Sequence, residues 1–168
     1  MDSINSLATG GLGDIVSFVS NFIVLLVLAA ILFFHSVRSG RATFISLVLA
    51  LYAGFGLYSL FPYKAAFLNG AAGVTATATG LLIFGVLTFF PYILLRRIAT
   101  SGLMHINPVI MFLLSLVTAG FILALGYHLF DLSSIIPLSA KLAAILTPDK
   151  YLFWWCVAPL AGIFLASR

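Results

Sequence analysis

Five long apolar runs, separated by short polar segments, organise the chain. A helix rises about 1.5 Å per residue, so roughly 20 apolar residues cross the ~30 Å hydrocarbon core of a bilayer. Each of the five runs has about that length. The pattern therefore predicts five membrane-spanning helices, over residues 15–37, 44–61, 71–95, 108–130 and 151–167.

A further apolar segment, residues 132–147, does not fit this pattern. Its central run, 135–146, is short and contains Pro137 and Lys141. A charged side chain in so short a run is typical of a helix that lies in the interface or re-enters the membrane. We expect that arrangement for 132–147, with a sixth crossing as the alternative.

The composition agrees with a membrane location. Hydrophobic residues make up 63% of the chain and charged residues 7%, and the mean hydropathy is +1.24. Soluble domains carry about 25% charged residues. We predict an all-α polytopic membrane bundle, with residues 1–14 as a short extracytoplasmic tail and 15–168 as a single membrane domain.

The charged residues predict the orientation of this bundle. If the five runs cross in alternation, every arginine lies on one side of the membrane, whereas the lysines and aspartates lie on the other. Basic residues in short loops favour the cytoplasm. We expect a protein of the cell (inner) membrane with its N-terminus outside and its C-terminus in the cytoplasm, and no binding of nucleic acid. The arginines are Arg38, Arg41, Arg96, Arg97 and Arg168, and the opposing residues are Asp2, Asp14, Lys64, Asp131, Lys141, Asp149 and Lys150.

Small residues recur at helical spacing in the third run. Small side chains let two helices approach closely in lipid. Ala50 with Gly54 in the second run, and Ser115 with Ala119 in the fourth, repeat this spacing. We interpret the ridge as a helix-packing surface, formed by Gly70, Gly73, Thr77 and Gly80.

Polar side chains also share the outer half of the first and third runs. Ser17 and Asn21 are predicted at the same depth as Thr75 and Thr79. Two interpretations stay open. These groups form hydrogen bonds between helices, each worth on the order of 1 kcal/mol, or they line a water-filled vestibule.

Candidates for catalysis or metal binding are few. The chain has no glutamate and a single cysteine, Cys156. No charged residue lies in the middle of a predicted span, where ion-coupled transporters usually carry one. His128 is predicted on the opposite side from His35 and His105, so the histidines do not form one metal site. We predict no catalytic activity, no metal and no cofactor.

The arginines at the predicted cytoplasmic ends have a second interpretation besides topology. Arg38 and Arg41 follow the first run, and Arg96 and Arg97 follow the third. Such groups can contact anionic lipid headgroups or an acidic partner surface.

The first two runs and their joint contain Asp14-Ile15-Val16, then Val37-Arg38-Ser39-Gly40-Arg41, then Phe44-Ile45-Ser46-Leu47. Over about 50 residues, this stretch resembles the start of the colicin V production protein family. The arginine pair after the third run resembles that family's basic inner loop, whereas Asn107-Pro108 replaces its glycine-rich entry to the final helices. The resemblance implies a small inner-membrane protein linked to envelope homeostasis or export, without a defined catalytic activity.

These features favour a non-catalytic protein that works by association with the bilayer and with other membrane subunits or its own copies. It would be a scaffold, an assembly factor or a subunit of an envelope complex. An oligomeric channel or transporter subunit for a small neutral solute is the competing hypothesis, and a holin-like pore former is a third.

Overall fold

The computed structural model describes residues 22–70, 72–98, 108–130, 132, 140–146 and 148–166. Within these ranges the regular structure is entirely helical, which confirms the predicted all-α class. The helices are α1 (Phe22–Ser39), α2 (Arg41–Leu60), α3 (Lys64–Leu68), α4 (Val74–Ile98), α5 (Pro108–Phe130), α6 (Ala140–Leu146) and α7 (Asp149–Ala166).

Four of these helices are long and apolar enough to cross a membrane: α1, α2, α4 and α5. The length and composition of these helices are those of a helical membrane protein. The fifth predicted span corresponds to α7, whose apolar part, Lys150–Leu165, is shorter than the other four. The short helix α6 lies within the predicted interfacial segment.

The helix ends differ in detail from the apolar runs. The described residues begin inside the first predicted span, and α1 continues to Ser39. α4 starts at Val74 and includes Arg96 and Arg97 in its last turn, because both are good helix formers. Pro62 lies two residues after the last residue of α2, in keeping with the difficulty of continuing a helix through proline.

α5 is the central helix of the bundle. In the apolar stretch of α5, 61% of the residues are buried, compared with 11% in that of α4. Core clusters join α5 to α1 and α2 around Phe44 and Leu114, and to α6 around Leu123 and Leu142. The other long helices are therefore arranged around α5, with much of α4 at the periphery.

Two antiparallel helix hairpins pack extensively, α2 with α4 and α5 with α7. In each hairpin a short helix lies between the two long ones, and a proline interrupts the returning helix, Pro91 in α4 and Pro159 in α7. Each first helix carries the sequence Ala-Gly-Phe, at 53–55 in α2 and 119–121 in α5. α2 and α5 point in the same direction, since Phe130 at the end of α5 contacts Tyr58 near the end of α2.

The glycine of each Ala-Gly-Phe lies at a close helix contact. A Cβ atom at Gly54 would overlap the side chain of Thr88, and one at Gly120 would overlap the ring of Trp155. A larger residue would force α2 and α4 apart at Gly54, and at Gly120 it would displace the Trp155 ring. This use of glycine is typical of helix pairs in membranes.

Three buried hydroxyls bond within their own helices, whereas those of Ser36 and Thr88 have no hydrogen-bond partner among the described residues. Ser46 donates to the carbonyl of Ala42, and Ser115 and Thr118 donate to the carbonyls one turn earlier, at 2.8 and 2.7 Å. Hydroxyls that bond back in this way need no water.

Candidate functional site

The two ends of the bundle differ in charge, and each is named here for its basic residues. The arginine end carries Arg38 in the last turn of α1, Arg41 at the start of α2, and Arg96 and Arg97 at the end of α4. The lysine end carries Lys64 in α3. The two ends are the places where polar groups and cavities occur together.

An aromatic cluster closes the interior at the lysine end. Tyr58 of α2, Phe84 of α4 and Phe130 of α5 meet edge to face, with ring centroids 5.0 to 6.1 Å apart. Such geometry adds about 0.5–1.5 kcal/mol per pair beyond the buried area. Tyr58 and Phe130 are both buried.

The start of α4 is joined to the end of α5 by a buried hydrogen bond. The hydroxyl of Thr77 donates to the carbonyl of Phe130 at 2.8 Å. That carbonyl lies in the last turn of α5, where backbone acceptors have no partner within the helix. One turn further along α4, a Cβ at Gly80 would lie 2.8 Å from the Phe130 ring. A small residue at position 80 thus admits the ring.

A cavity of about 510 Å³ lies above this contact. Its walls combine apolar rings with hydroxyl, imidazole and backbone groups. His128, on the last turn of α5, is exposed beside it. The lining residues are Tyr58, Leu68, Gly73, Ala76, Thr77, Gly80, Tyr127, His128, Leu129 and Phe130.

Lys64 of α3 caps the last turn of α2 next to this cavity. Its ammonium group donates to the carbonyl of Ser59 at 3.2 Å and lies 4.7 Å from the centroid of the Tyr58 ring. A cation at a helix C-terminus is favoured by the helix dipole and by the acceptors that the last turn leaves over. The lysine therefore has a structural function at this position.

The residues predicted for the packing ridge fall into two groups. Thr77 and Gly80 are buried at the contacts with Phe130. Gly70 and Gly73 precede α4 and are exposed, with φ angles of 82° and 55°. Glycine adopts these left-handed angles without strain. The structure thus places two members of the ridge inside the bundle and two in the turn that leads into it.

The residues predicted for a vestibule are only partly described. Thr75 is exposed and Thr79 is half-buried on α4. Ser17 and Asn21 lie outside the described residues, so the structure does not report on their proximity to these threonines.

At the arginine end, a second cavity of about 500 Å³ lies along the last turns of α4. Its lining includes Arg96 and Arg97, both exposed. Arg38 is also exposed and Arg41 is half-buried, but neither lines this cavity. The structure thus separates the four predicted arginines into a pair that lines a groove and a pair that does not.

Acid, base and metal-binding groups are scattered over the described residues. Within those ranges, no three histidine, cysteine or aspartate side chains come together as a metal site would require. His35 lies 3.4 Å from the hydroxyl of Ser39 in its own helix. Cys156 is a free, half-buried thiol within α7. His105 lies outside the described residues.

Sequence reasoning did not single out Tyr58, Tyr127 or Phe130, which form much of the cavity at the lysine end. One signal was available. All three lie in the last turns of predicted spans, where aromatic residues are enriched. The pattern could not show that the side chains from two different helices meet there.

Comparison with known proteins finds no protein-family model, no curated protein and no solved structure that matches this chain.

Proposed function

We propose that this chain is a small non-catalytic protein of the cell inner membrane that acts through association, as a scaffold, an assembly factor or a subunit of an envelope complex. Its partners would be other membrane subunits or further copies of itself. In this proposal α7 is the fifth crossing, residues 132–147 lie at the interface, and the arginine end faces the cytoplasm. The resemblance to the colicin V production protein family agrees with this proposal but stays a hypothesis.

The observation that carries the proposal is the exposed face of α4. Positions spaced three and four residues apart along α4 form one exposed stripe that combines small and large apolar residues. A Cβ at Gly85, in the middle of this stripe, would meet no atom within 4 Å. Small residues on a lipid-facing stripe permit the close approach of a further helix. The stripe, called here the exposed α4 face, consists of Thr75, Ala78, Leu82, Gly85 and Phe89.

Substitution of Gly85 tests this proposal. Gly85→Leu should shift the assembled form toward the monomer, because a leucine would hold a partner helix away from the exposed α4 face. Gly56→Leu is the matched control. Gly56 is an exposed helical glycine with the same open surroundings, but it lies on α2. The mass of the protein in mild detergent, measured by light scattering, and co-purification of membrane subunits report the change.

If Gly85→Leu and Gly56→Leu assemble like the unmodified chain, the exposed α4 face is simply a lipid contact and the proposal is wrong. Equal loss of assembly in both variants would indicate a general effect of added bulk, and would also count against this face.

A channel or transporter subunit is the second candidate. The cavity at the lysine end favours it, because about 510 Å³ of open space there is lined partly by polar groups. Thr75 and Thr79 lie on the helix that forms one wall of this region.

Accessibility to a membrane-impermeant thiol reagent tests this second candidate. Single cysteines at Ser17, Asn21, Thr75 and Thr79, in a Cys156→Ser background, should all react from the lysine side if water fills a vestibule. Reaction only at the exposed Thr75 would mean that the bundle is dry below its surface, and would leave the association proposal in front.

A further inference from the structure

We propose that the groove at the end of α4 is a binding site for the headgroup of an anionic phospholipid in the leaflet at the arginine end. The groove encloses about 500 Å³ and combines two cationic side chains with three apolar or aromatic ones. The groove shares only Phe89 with the exposed α4 face, and its two arginines lie outside that face. The lining residues are Phe89, Tyr92, Ile93, Arg96 and Arg97.

The order of these residues along the helix follows the order of groups in a lipid. Phe89, Ile93 and the arginines are spaced by three to four residues, so they follow one side of α4. Phe89 and Ile93 are 60% and 40% exposed. Since each residue adds about 1.5 Å, the arginines lie roughly 10–12 Å from Phe89 along the helix axis. A phosphate at the arginines would therefore place acyl chains along Phe89 and Ile93.

The chemistry of the groove suits a phosphate group. A guanidinium group presents a planar fork of N–H donors that matches two phosphate oxygens, and it keeps its charge at any physiological pH. Two such groups are adjacent here. Tyr92, which is half-buried, contributes an amphipathic ring of the kind that is enriched at the membrane interface.

The charge of the arginine end favours an anionic lipid over a zwitterionic one. α2 and α4 are antiparallel and cross at Gly54 and Thr88, so Arg41 at the start of α2 lies at the same end as Arg97. With Arg38, four cationic residues share this end. The sequence contains no carboxylate side chain between Asp14 and Asp131, so this stretch carries a net positive charge. A lipid with a net negative charge complements it.

The test measures lipid preference directly. The protein is reconstituted into vesicles of four parts phosphatidylcholine to one part phosphatidylglycerol. Spin-labelled phosphatidylglycerol or spin-labelled phosphatidylcholine is then added at trace level. Electron paramagnetic resonance gives the fraction of each label that is held at the protein surface. We expect the anionic label to be preferred, by roughly fivefold for each arginine that contacts it.

Three variants separate a built groove from diffuse charge. Arg96→Gln with Arg97→Gln should abolish the preference, and Arg96→Lys with Arg97→Lys should retain most of it. The matched control, Arg38→Gln with Arg41→Gln, removes the same charge at the same end but leaves the groove intact, so the preference should persist. Helix content by circular dichroism serves as the folding control, because arginines in a last turn also stabilise the helix end.

Several results would overturn the proposal. The unmodified protein could show no preference, or both glutamine pairs could lower the preference equally, in which case the attraction is diffuse. Loss of the preference on addition of inorganic phosphate at constant ionic strength would assign the groove to a soluble anion instead of a lipid.

Discussion

Both hairpins have a glycine at a close helix contact, but the residue opposite the glycine differs. In the α2–α4 hairpin, Gly54 faces Thr88, and a Cβ at position 54 would lie 3.1 Å from the Thr88 Cα. In the α5–α7 hairpin, Gly120 instead faces the outer atoms of the Trp155 ring. The first glycine therefore brings two backbones together, whereas the second admits a large side chain between two helices.

This difference determines how each contact can respond to change. The backbone contact at Gly54 can relax only if a whole helix moves. The ring at Gly120 can shift about its own side-chain bonds, although its indole N–H donates to the carbonyl of Ile145 at 3.1 Å. We therefore expect the α2–α4 hairpin to tolerate added volume less well than the α5–α7 hairpin does.

The largest effect is expected at Gly54. Gly54→Ala should lower the free energy of unfolding by about 1–3 kcal/mol, because the added methyl group overlaps Thr88 and the helices must separate. Unfolding in mixed detergent micelles, followed by circular dichroism, measures the change. Gly56→Ala is the control in the same helix. It meets open space, so its higher helix propensity should leave stability unchanged or raise it by up to about 1 kcal/mol.

A double variant sharpens the assignment to Thr88. The Thr88 hydroxyl is buried and has no hydrogen-bond partner among the described residues, so its removal should cost little. Gly54→Ala combined with Thr88→Ala should recover part of the lost stability. Strictly additive losses would show that the two positions do not couple.

A smaller loss is expected at Gly120. Gly120→Ala should cost about 1–2 kcal/mol, because the Trp155 ring can shift at the expense of its bond to Ile145. Trp155 becomes the sole tryptophan when Trp154 is replaced by Phe, and its fluorescence should then move to longer wavelength as the ring gains exposure. An unchanged spectrum together with a stability loss equal to that at Gly54 would remove the distinction between the hairpins.

The hydrogen bond from Thr77 to Phe130, which joins the two hairpins, should contribute about 1 kcal/mol to the free energy of unfolding. Thr77→Val keeps the side-chain shape but removes the hydrogen bond to the Phe130 carbonyl, which leaves a buried acceptor without this donor. Thr75→Val is the matched control, since Thr75 lies on the same helix and is exposed. Equal losses of unfolding free energy in the two variants would contradict the assignment.

The smallest effect is expected at Tyr52. Its hydroxyl donates to the carbonyl of Cys156, three residues before Pro159, and its ring stacks on Phe121 at 4.6 Å. Tyr52→Phe retains the stacking and removes only the hydrogen bond. Interhelical bonds in membranes average about 0.6 kcal/mol, so we expect a loss of that order in the same micelle titration. A loss beyond about 2 kcal/mol would mean that Tyr52 organises more of the α2–α7 contact than this one bond.

Hydrophobic patterning predicted the long helices because membrane crossing constrains length and polarity together. It did not predict the exact ends. Arg96 and Arg97 belong to α4, since a charged side chain can extend to the interface while its backbone stays helical. Gly70 and Gly73 fit the spacing of the ridge, yet their positive φ angles exclude them from α4.

The sequence did not predict which side chains of neighbouring helices contact each other. The small residues at Thr77 and Gly80 indicated a packing surface, but only the three-dimensional arrangement brings Phe130 against them. The same holds for Ala-Gly-Phe. The tripeptide occurs twice, but its sequence does not distinguish a glycine that faces a threonine from one that faces a tryptophan ring. Side-chain partners depend on helix rotation, which apolar runs leave undetermined.

The length of α4 has a consequence for the surrounding bilayer. Its 25 residues extend about 37 Å, and the apolar part before Arg96 alone extends about 33 Å, whereas the hydrocarbon core of a typical bilayer is about 30 Å thick. An apolar stretch longer than the core favours a tilt of the helix, and a thicker bilayer reduces this tilt. Because Gly54 holds α2 tightly against α4, a tilt of α4 moves α2 with it. We therefore expect the α2–α4 hairpin to tilt as one unit and to stand more upright in a thicker bilayer.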